Sequence, residues 1–316
     1  MDEHYARTVR LLLTAAPAVF DNAIFAMKGG TAINLFIQDM PRLSVDIDVV
    51  YIPWQPNREE ALRDIAAELE RIRARLAPLG LTVRTLPSRD QSETKLFIEN
   101  EISQVKVEVN FVFRGTVLPV LRQPLSRKTA ELFSVELAAP LLAPDELYGS
   151  KLVAAMDRQH PRDLFDVWRL FETGGLSDAT IECFVTCLAG HNRPFHEVLF
   201  GTDKAIEREY QDHFVGMTAE AVPLETLLAA RTRLREELSR RLTSAQRCFL
   251  ISLSQAQPEW NLLHCPYASE LPALRWKLAN LETFKKRRPD DFRAQASLLE
   301  QRLTSLFRHH NDILLK

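Results

Sequence analysis

The sequence contains no apolar stretch long enough to cross a membrane. A spanning helix needs about 18 uncharged apolar residues in succession, and the run from Leu11 to Phe20 is stopped by Asp21. The start, Met1-Asp2-Glu3, lacks the basic residues of a signal peptide. Four cysteines in 316 residues are too few for a disulfide framework. We therefore expect a reduced protein of the cytoplasm.

Glycine is scarce, with 10 residues, and the net charge is only −2. With 46% hydrophobic and 26% charged residues, the composition excludes collagen-like, disordered and low-complexity chains. The near-neutral total hides an asymmetry, because residues 226–316 hold 16 Lys and Arg against 9 Asp and Glu, whereas residues 1–225 hold 24 against 33. The length predicts two lobes, or one large domain with a helical extension, and the excess of positive charge lies in residues 226–316.

The first lobe alternates helical and strand-like patterns. Helices are expected at 4–20, 31–38 and 57–79, and strands at 23–27, 45–52, 81–86, 95–98, 105–113 and 132–137. Asn57 is a suitable N-cap for the third helix, which Gly80 ends. These patterns predict a mixed α/β (α+β) sheet core.

The remainder of the chain has almost wholly helical periodicity, with helices expected at 145–158, 162–172, 178–189, 224–247, 268–284 and 290–308. The segment from Ala138 to Pro144 has the composition of a connection. We therefore expect a core domain over residues 1–140 and an all-helical lobe over residues 141–316.

The pair Asp46-x-Asp48 lies inside an apolar strand. Period-two alternation points both carboxylates to one face, with their Cα atoms about 7 Å apart. Two such carboxylates are costly amid Val and Ile unless they are compensated, and two Mg²⁺ ions bridged by carboxylates are the arrangement that phosphoryl transfer uses. The alternative is an edge strand with a solvated polar face.

Upstream of this pair, Lys28-Gly29-Gly30-Thr31 lies where a strand turns into a helix. Glycine permits close approach to the backbone, and the free N–H groups at a helix start bind anions such as a triphosphate. An ordinary tight turn is the alternative for a lone Gly-Gly. Followed by the two aspartates, the turn is typical of a phosphate clamp beside a metal site.

Two further sets of residues carry charge at useful spacing. Lys106, Glu108 and Asn110 share one face of a strand, where Glu108 would complete a metal cage or act as a base; an exposed polar face is the alternative. Lys151 lies on one helix, and Asp163 and Asp166 share a face of the next. Lys151 would contact the triphosphate with one of these carboxylates as its partner, or the set forms surface ion pairs.

The basic cluster 285–288 (Lys-Lys-Arg-Arg) lies in the positively charged region. Such a cluster is commonly a plain charged surface, but it is also suited to a phosphate backbone.

Several segments together resemble the AbiEii/AbiGii nucleotidyltransferase toxin family of the DNA-polymerase-β-like nucleotidyltransferase superfamily. The matching segments are 28–36 (KGGTAINLF), 42–48 (RLSVDID), 151–155 (KLVAA) and 162–166 (RDLFD), and 271–281 (LPALRWKLANL) is similar to the C-terminal region of the family. Thr31 stands where serine is commoner in the family.

The resemblance implies Mg²⁺-dependent transfer of a nucleoside monophosphate from an NTP. Under it, Gly30 and Thr31 match the Gly-Ser/Thr position, Asp46 and Asp48 are the metal ligands, and Lys151 is the motif lysine. Asp166 or Asp163 is its acidic partner, with the spacing in favour of Asp166. Relatives are toxins beside a cognate antitoxin in type IV and related systems, some add nucleotides to the 3′ end of tRNA, and phage defence is the associated biology.

The leading hypothesis is therefore a nucleotidyltransferase with a tRNA acceptor. Two alternatives stay open. In the first, the chain is a nucleotidyltransferase whose acceptor is a small molecule or a protein. In the second, the chain is a non-catalytic partner protein that binds NTP. An RNA acceptor predicts binding that depends steeply on salt, and a small-molecule acceptor predicts a flat response.

Overall fold

The computed structural model describes residues 3–87 and 93–314, without the side chains of residues 87, 93 and 306–314. The chain divides into two compact units. Unit 1 comprises Met1–Leu147 and Gly216–Glu220, and unit 2 comprises Tyr148–Val215 and Ala221–Lys316. None of the described helices combines the length and the apolar character of a membrane span.

Unit 1 is built on a seven-stranded mixed sheet of order β3-β4-β5-β2-β1-β7-β6. The strands are β1 Phe25–Lys28, β2 Ile47–Tyr51, β3 Thr82–Pro87, β4 Glu93–Glu99, β5 Gln104–Asn110, β6 Leu121–Pro124 and β7 Ala138–Leu141. In its centre β1 runs antiparallel to β2, and β2 runs parallel to β5. The expected mixed α/β fold is confirmed.

The helices of unit 1 are α1 Glu3–Val19, α2 Gly29–Ala32, which continues as a π-helix over Ile33–Ile37, α3 Arg58–Leu76 and α4 Arg127–Phe133; α5 is Pro144–Arg158. Asn57 caps α3 in a reciprocal capping box with Glu60. The long apolar side chains of α1 and α3 are buried with the inward face of the sheet, which includes Met27, Val49 and Val107. The other, more polar face of the central strands carries Lys28, Asp48 and Glu108 together with the buried Ala26 and Val50.

Three sequence predictions in this unit are wrong. The strand expected at 132–137 is instead the end of α4, which Ser126 caps by accepting the Thr129 N–H and which Ser134 closes in a left-handed conformation. The connection expected at 138–144 contains β7, which pairs with β6 and β1. The helix expected from Thr31 begins two residues earlier, at Gly29.

Unit 2 is helical throughout its regular structure. Besides the main part of α5, its helices are α6 Pro161–Thr173, α7 Asp178–Ala189, α8 Phe195–Leu199, α9 Glu207–His213, α10 Leu224–Arg241, α11 Ser244–Ser254, α12 Pro272–Arg287 and α13 Pro289–Leu314. The single helix expected at 224–247 is two helices, because Thr243 starts α11 with a capping box to Gln246. The helix expected from 268 begins at Pro272, after a short 3₁₀ turn.

Candidate functional site

A row of four charged residues crosses the polar face of the sheet in unit 1. The register pairs Lys28 of β1 with Asp48 of β2, Asp48 with Glu108 of β5, and Glu108 with Lys95 of β4. Their neighbours along each strand point to the core, as the alternation of the sequence predicts. The side-chain charges are therefore positive, negative, negative and positive in the order β1, β2, β5 and β4.

Asp46 lies one residue before β2, and its side chain is 45% exposed. Lys106 Nζ lies 3.5 Å from Asp46 Oδ2 and 2.9 Å from Glu108 Oε1. Burial opposes the charge of the Lys106 ammonium, but the hydrogen bond to Glu108 and the charge of Asp46 raise its pKa overall. Lys106 thus links two of the three predicted carboxylates.

Glu108 is held by two cations. Its carboxylate lies 2.9 Å from Lys106 Nζ and 3.2 Å from Lys95 Nζ. Partial burial acts to raise the pKa of Glu108, but the two lysines outweigh it and lower the pKa. Glu108 is therefore stabilised as an ionised carboxylate.

The glycine turn packs directly on the aspartate strand. Gly29 has a φ of +77°, which favours glycine, and a Cβ at this position would overlap Asp48 Oδ2. A Cβ on Gly30 would lie 2.5 Å from Arg42 Nη2 and 3.1 Å from Ser44 Oγ. Because both positions are glycine, the Asp48 carboxylate and the Arg42 guanidinium can approach the backbone of the turn this closely.

The side chain of Thr31 is turned inward. Thr31 is 1% exposed, and its hydroxyl lies 3.0 Å from Ser44 Oγ. Asn34 is fully buried and donates from Nδ2 to Gly30 O at 2.8 Å, and the Ser44 N–H donates to Tyr5 Oη at 2.9 Å. These contacts hold the turn in place through buried side chains.

Sequence reasoning did not assign roles to the residues that brace this turn: Tyr5, Asn34, Arg42 and Ser44. Asn34, Arg42 and Ser44 lie inside the matching segments 28–36 and 42–48, so the motif itself carried a signal. Tyr5 lies in α1 and has no signal of its own. Leu43 N donates to Met217 O at 2.8 Å, and Arg42 forms a bridge with Thr218, which brings the 216–220 segment into unit 1.

A buried carboxylate that the sequence did not single out lies at the start of α5. Glu146 is 5% exposed, and its two oxygens accept the Val117 and Leu118 N–H groups at 2.9 Å each. Burial raises the pKa of Glu146 to about 7, although both hydrogen bonds and the nearby Lys28 charge act to lower it. Glu146 fixes the chain that follows β5.

Unit 2 contains a second charged cluster, which is buried. Lys151 Nζ lies 2.9 Å from Asp163 Oδ1 and 3.0 Å from Asp166 Oδ2. The three side chains are 8%, 5% and 0% exposed, respectively. Arg158, which is largely exposed, contacts the other oxygen of Asp163 at 2.8 Å. The sequence left open which aspartate accompanies Lys151, and both do.

His160 caps the helix that carries these aspartates. Its Nδ1 accepts the Arg162 N–H at 3.2 Å, and its ring stacks on that of His213 with centroids 6.2 Å apart. Burial, followed by the charge of Arg162, lowers the pKa of His160 to about 4. A neutral His160 is therefore part of the start of α6.

Among the described residues, no three His, Cys, Asp or Glu side chains are arranged as a ready-made metal cluster.

The sequence profile described as "Nucleotidyl transferase AbiEii toxin, Type IV TA system" matches residues 10–280. Among solved structures, MenT4, a nucleotidyltransferase toxin from Mycobacterium tuberculosis, is similar at 16% identity and a TM-score of 0.57, with 88% of this chain and 94% of that chain covered. No curated protein sequence is similar enough to be matched.

Proposed function

Because the chain belongs to the AbiEii family of nucleotidyltransferase toxins of type IV toxin–antitoxin systems, we propose that it transfers a nucleoside monophosphate from an NTP to the 3′ end of tRNA. The enzyme class, nucleotidyltransferase, follows from the family. The proposal adds the acceptor, the metal ion and the residues.

The observation that carries the assignment of the site is the contact between the glycine turn and the aspartate strand. The Asp48 carboxylate lies against Gly29, and Asp46 stands two residues away with its side chain 45% exposed. An NTP needs a place for its phosphates and a place for the cation that accompanies them. Unit 1 offers both within one turn and one strand.

The donor set suits Mg²⁺. This ion prefers oxygen ligands and is commonly held by one or two carboxylates together with substrate phosphates, without a complete protein cage. Asp46 and Asp48 supply such a pair of carboxylates and would hold the ion. When bound, Mg²⁺ would neutralise developing charge on the phosphates.

The residues of the turn bind and orient the NTP in this proposal. The backbone N–H groups of Gly29, Gly30 and Thr31 donate to phosphate oxygens, and Lys28 adds a positive charge beside them. The acceptor hydroxyl gives up its proton to water and its oxygen forms a bond to the α-phosphorus, while the bond from that phosphorus to the bridging oxygen breaks and pyrophosphate leaves. Most of the acceleration would come from positioning and charge neutralisation.

Glu108 stays a predicted catalytic residue. Its two lysine partners lower its affinity for a proton, which favours a role as an ionised neighbour of Asp48 over that of a general base. For Lys151, with Asp163 and Asp166 as partners, we propose the role of the family's motif lysine and its acidic partner. Its contacts with both aspartates support this assignment.

An RNA acceptor is supported by the charge distribution. Residues 226–316 carry 16 Lys and Arg against 9 Asp and Glu, and an excess of cations is the electrostatic signature of a polyanion partner. A tRNA target would place the reaction in the cytoplasm. We further propose that a cognate antitoxin controls the toxin and that the pair serves phage defence.

The test is incubation of the protein with each labelled NTP in turn, Mg²⁺ and total cellular RNA, followed by gel electrophoresis. We expect one NTP to label a tRNA-sized band and EDTA to abolish the labelling. Label on a protein or on a small molecule would show that this molecule, and not tRNA, is the acceptor. Nucleotide binding without transfer to any acceptor would overturn the activity.

A further inference from the structure

One face of α12 is anchored inside unit 2. Lys277 is 4% exposed, and its Nζ donates to His191 O and Arg193 O at 2.8 Å each. The ammonium also lies 4.8 Å from the centre of the Phe195 ring. Ala273 and Leu274 are buried on the same side. The orientation of α12 is therefore fixed, and so is the set of residues that it presents to solvent.

The opposite face of α12 combines an exposed aromatic ring with cations. We define the α12 face as Arg275, Trp276, Asn280, Thr283, Lys286 and Arg287, all of which are exposed. Trp276, Asn280, Thr283 and Arg287 lie on one side of the helix because they are separated by steps of three, four and seven. Arg275 and Lys286, which are 11 positions or about three full turns apart, border this side in one line. Trp276 is 42% exposed, which is unusual for a residue whose ring is mainly apolar.

The positive charges of the α12 face are not neutralised. Within the described part of the chain, Arg275, Lys286 and Arg287 form no ion pair. Glu282 precedes Lys286 by one helical turn at the border of the face, but no ion pair joins them. Three other exposed arginines of unit 2 have an acidic partner on the same helix, namely Arg208 with Asp212, Arg240 with Glu237, and Arg293 with Asp290. Arg233 and Arg302, which are also exposed, have none among the described residues.

We propose that the α12 face binds a single-stranded segment of RNA, with a base stacked on Trp276 and phosphates on Arg275, Lys286 and Arg287. Single-stranded nucleic acids are bound by aromatic rings that stack on bases and by cations that follow the backbone. The face from Arg275 to Arg287 is about 18 Å long, which suits several nucleotides. This inference rests on the proposed function, since RNA is the acceptor there.

A protein partner would favour a different surface. The centre of a protein interface is enriched in apolar residues around its aromatic anchors. On this side of α12 the exposed neighbours of Trp276 are polar or charged apart from Ala279, and Pro272, one turn earlier, is half-buried. The excess of unpaired cations and the polar surroundings of the ring together favour RNA.

The experiment measures binding without NTP, so that it does not depend on transfer. Fluorescence anisotropy of a short labelled single-stranded RNA is recorded with the full chain over a series of salt concentrations. The first variant carries Arg275→Gln, Lys286→Gln and Arg287→Gln. We expect weaker binding at low salt and a decrease of about 2 in the slope of log affinity against log salt, because each phosphate contact to a single strand contributes about 0.7.

The matched control removes the same charge from arginines that already have acidic partners, with Arg208→Gln, Arg240→Gln and Arg293→Gln. This control should keep the affinity and the slope of the wild type. Trp276→Ala should weaken binding about tenfold through loss of stacking, and Trp276→Phe should restore most of it. Thermal unfolding of each variant checks that unit 2 remains folded.

Equal losses in the control and in the α12 variant would overturn the inference, as would unchanged binding in the α12 variant. A labelled poly-glutamate peptide that competes with RNA and loses affinity in the same variants would assign the face to an acidic protein instead. The proposed function is judged separately. Transfer to tRNA with unaltered RNA binding by the variants rejects only the α12 face, and RNA binding without transfer rejects only the activity.

Discussion

The two charged clusters of this protein are built in opposite ways. In unit 1, Asp48 and Glu108 are neighbours across two strands, Asp46 directly precedes β2, and the Asp46 side chain is 45% exposed. In unit 2, Lys151 and its two aspartates are at most 8% exposed, and the Lys151 ammonium lies within 3.0 Å of a carboxylate oxygen of each aspartate. The first arrangement pairs Asp46 and Glu108 with lysines but leaves these carboxylates partly exposed. The second encloses its carboxylates in buried ion pairs.

This difference separates chemistry from stability. In unit 1, Lys95 and Lys106 neutralise part of the negative charge of carboxylates that are partly exposed, and ion pairs in contact with solvent add little to the stability of the fold. A buried ion pair loses its hydration and holds only as long as each partner stays in place. Substitutions in unit 1 should therefore affect transfer far more than folding, whereas substitutions in unit 2 should affect both.

The largest effect is expected for Asp46→Asn together with Asp48→Asn. Nucleotide transfer should fall by about 10³-fold or more, because several kcal/mol of charge stabilisation around the phosphates are lost. The free energy of unfolding should change by less than about 1 kcal/mol. Labelled transfer and chemical denaturation measure the two quantities. The control, Glu59→Gln with Glu70→Gln, removes the same charge from the exposed face of α3, and retained transfer in the aspartate variant would contradict the site.

Lys151→Ala should destabilise the protein by about 3–5 kcal/mol, because it leaves two buried carboxylates without their cation. Lys128→Ala, at an exposed position of α4, should cost less than about 0.5 kcal/mol. Denaturant titration gives both values. Adding Asp163→Asn and Asp166→Asn to Lys151→Ala should recover part of the loss. If Lys151→Ala behaves like the control, the contrast between the two clusters fails.

Gly29→Ala tests the approach of the turn to the aspartate strand. A Cβ would displace the Asp48 carboxylate, and a misplacement of about 1 Å costs about 10²-fold in rate. Gly80→Ala is the control, because Gly80 has a φ of +71° and no atom within 4 Å of the added Cβ. Both variants bear similar backbone strain, so equal transfer rates in the two would show that the contact with Asp48 is unimportant.

Local patterns made much of the fold predictable. The alternation of β5 and the Asn57 cap of α3 depend on neighbours in sequence, and both are found in the structure. In β2 the alternation holds from Ile47 to Val49, but Val50 and Tyr51 are buried as well. The strand β6 escaped notice because most of its residues are exposed and it lacks an apolar alternation. Its pairing with β7 depends on residues about 17 positions away, which no short window of sequence reveals.

The candidate site was predictable from the sequence to a similar degree. Asp46 and Asp48 are conspicuous because aspartate is rare inside an apolar strand. The spacing of Asp163 and Asp166 placed both on one helix face, but which of them reaches Lys151 depends on how α5 and α6 pack. The bracing of the turn by Tyr5 likewise depends on tertiary packing, so the sequence alone gave no reason to select it.

The two units should also respond to acid in opposite directions. Glu146 in unit 1 has its pKa raised to about 7, mainly by burial, so its contribution to stability is greatest below the unfolded value of 4.5 and is lost as the pH rises to 7. His160 in unit 2 has its pKa lowered to about 4, again mainly by burial. Its contribution is present above 6.5 and is lost as the pH falls towards 4.

Thermal midpoints recorded between pH 7 and pH 4.5 should separate these contributions. Glu146→Gln removes the group that favours acid, so the midpoint of this variant should fall more steeply on acidification than that of the wild type. His160→Asn retains a side-chain oxygen that accepts the Arg162 N–H but does not titrate, so its midpoint should fall less steeply. Parallel curves for the two variants would contradict the opposing signs, because each variant would then have removed no pH-dependent contribution from its unit.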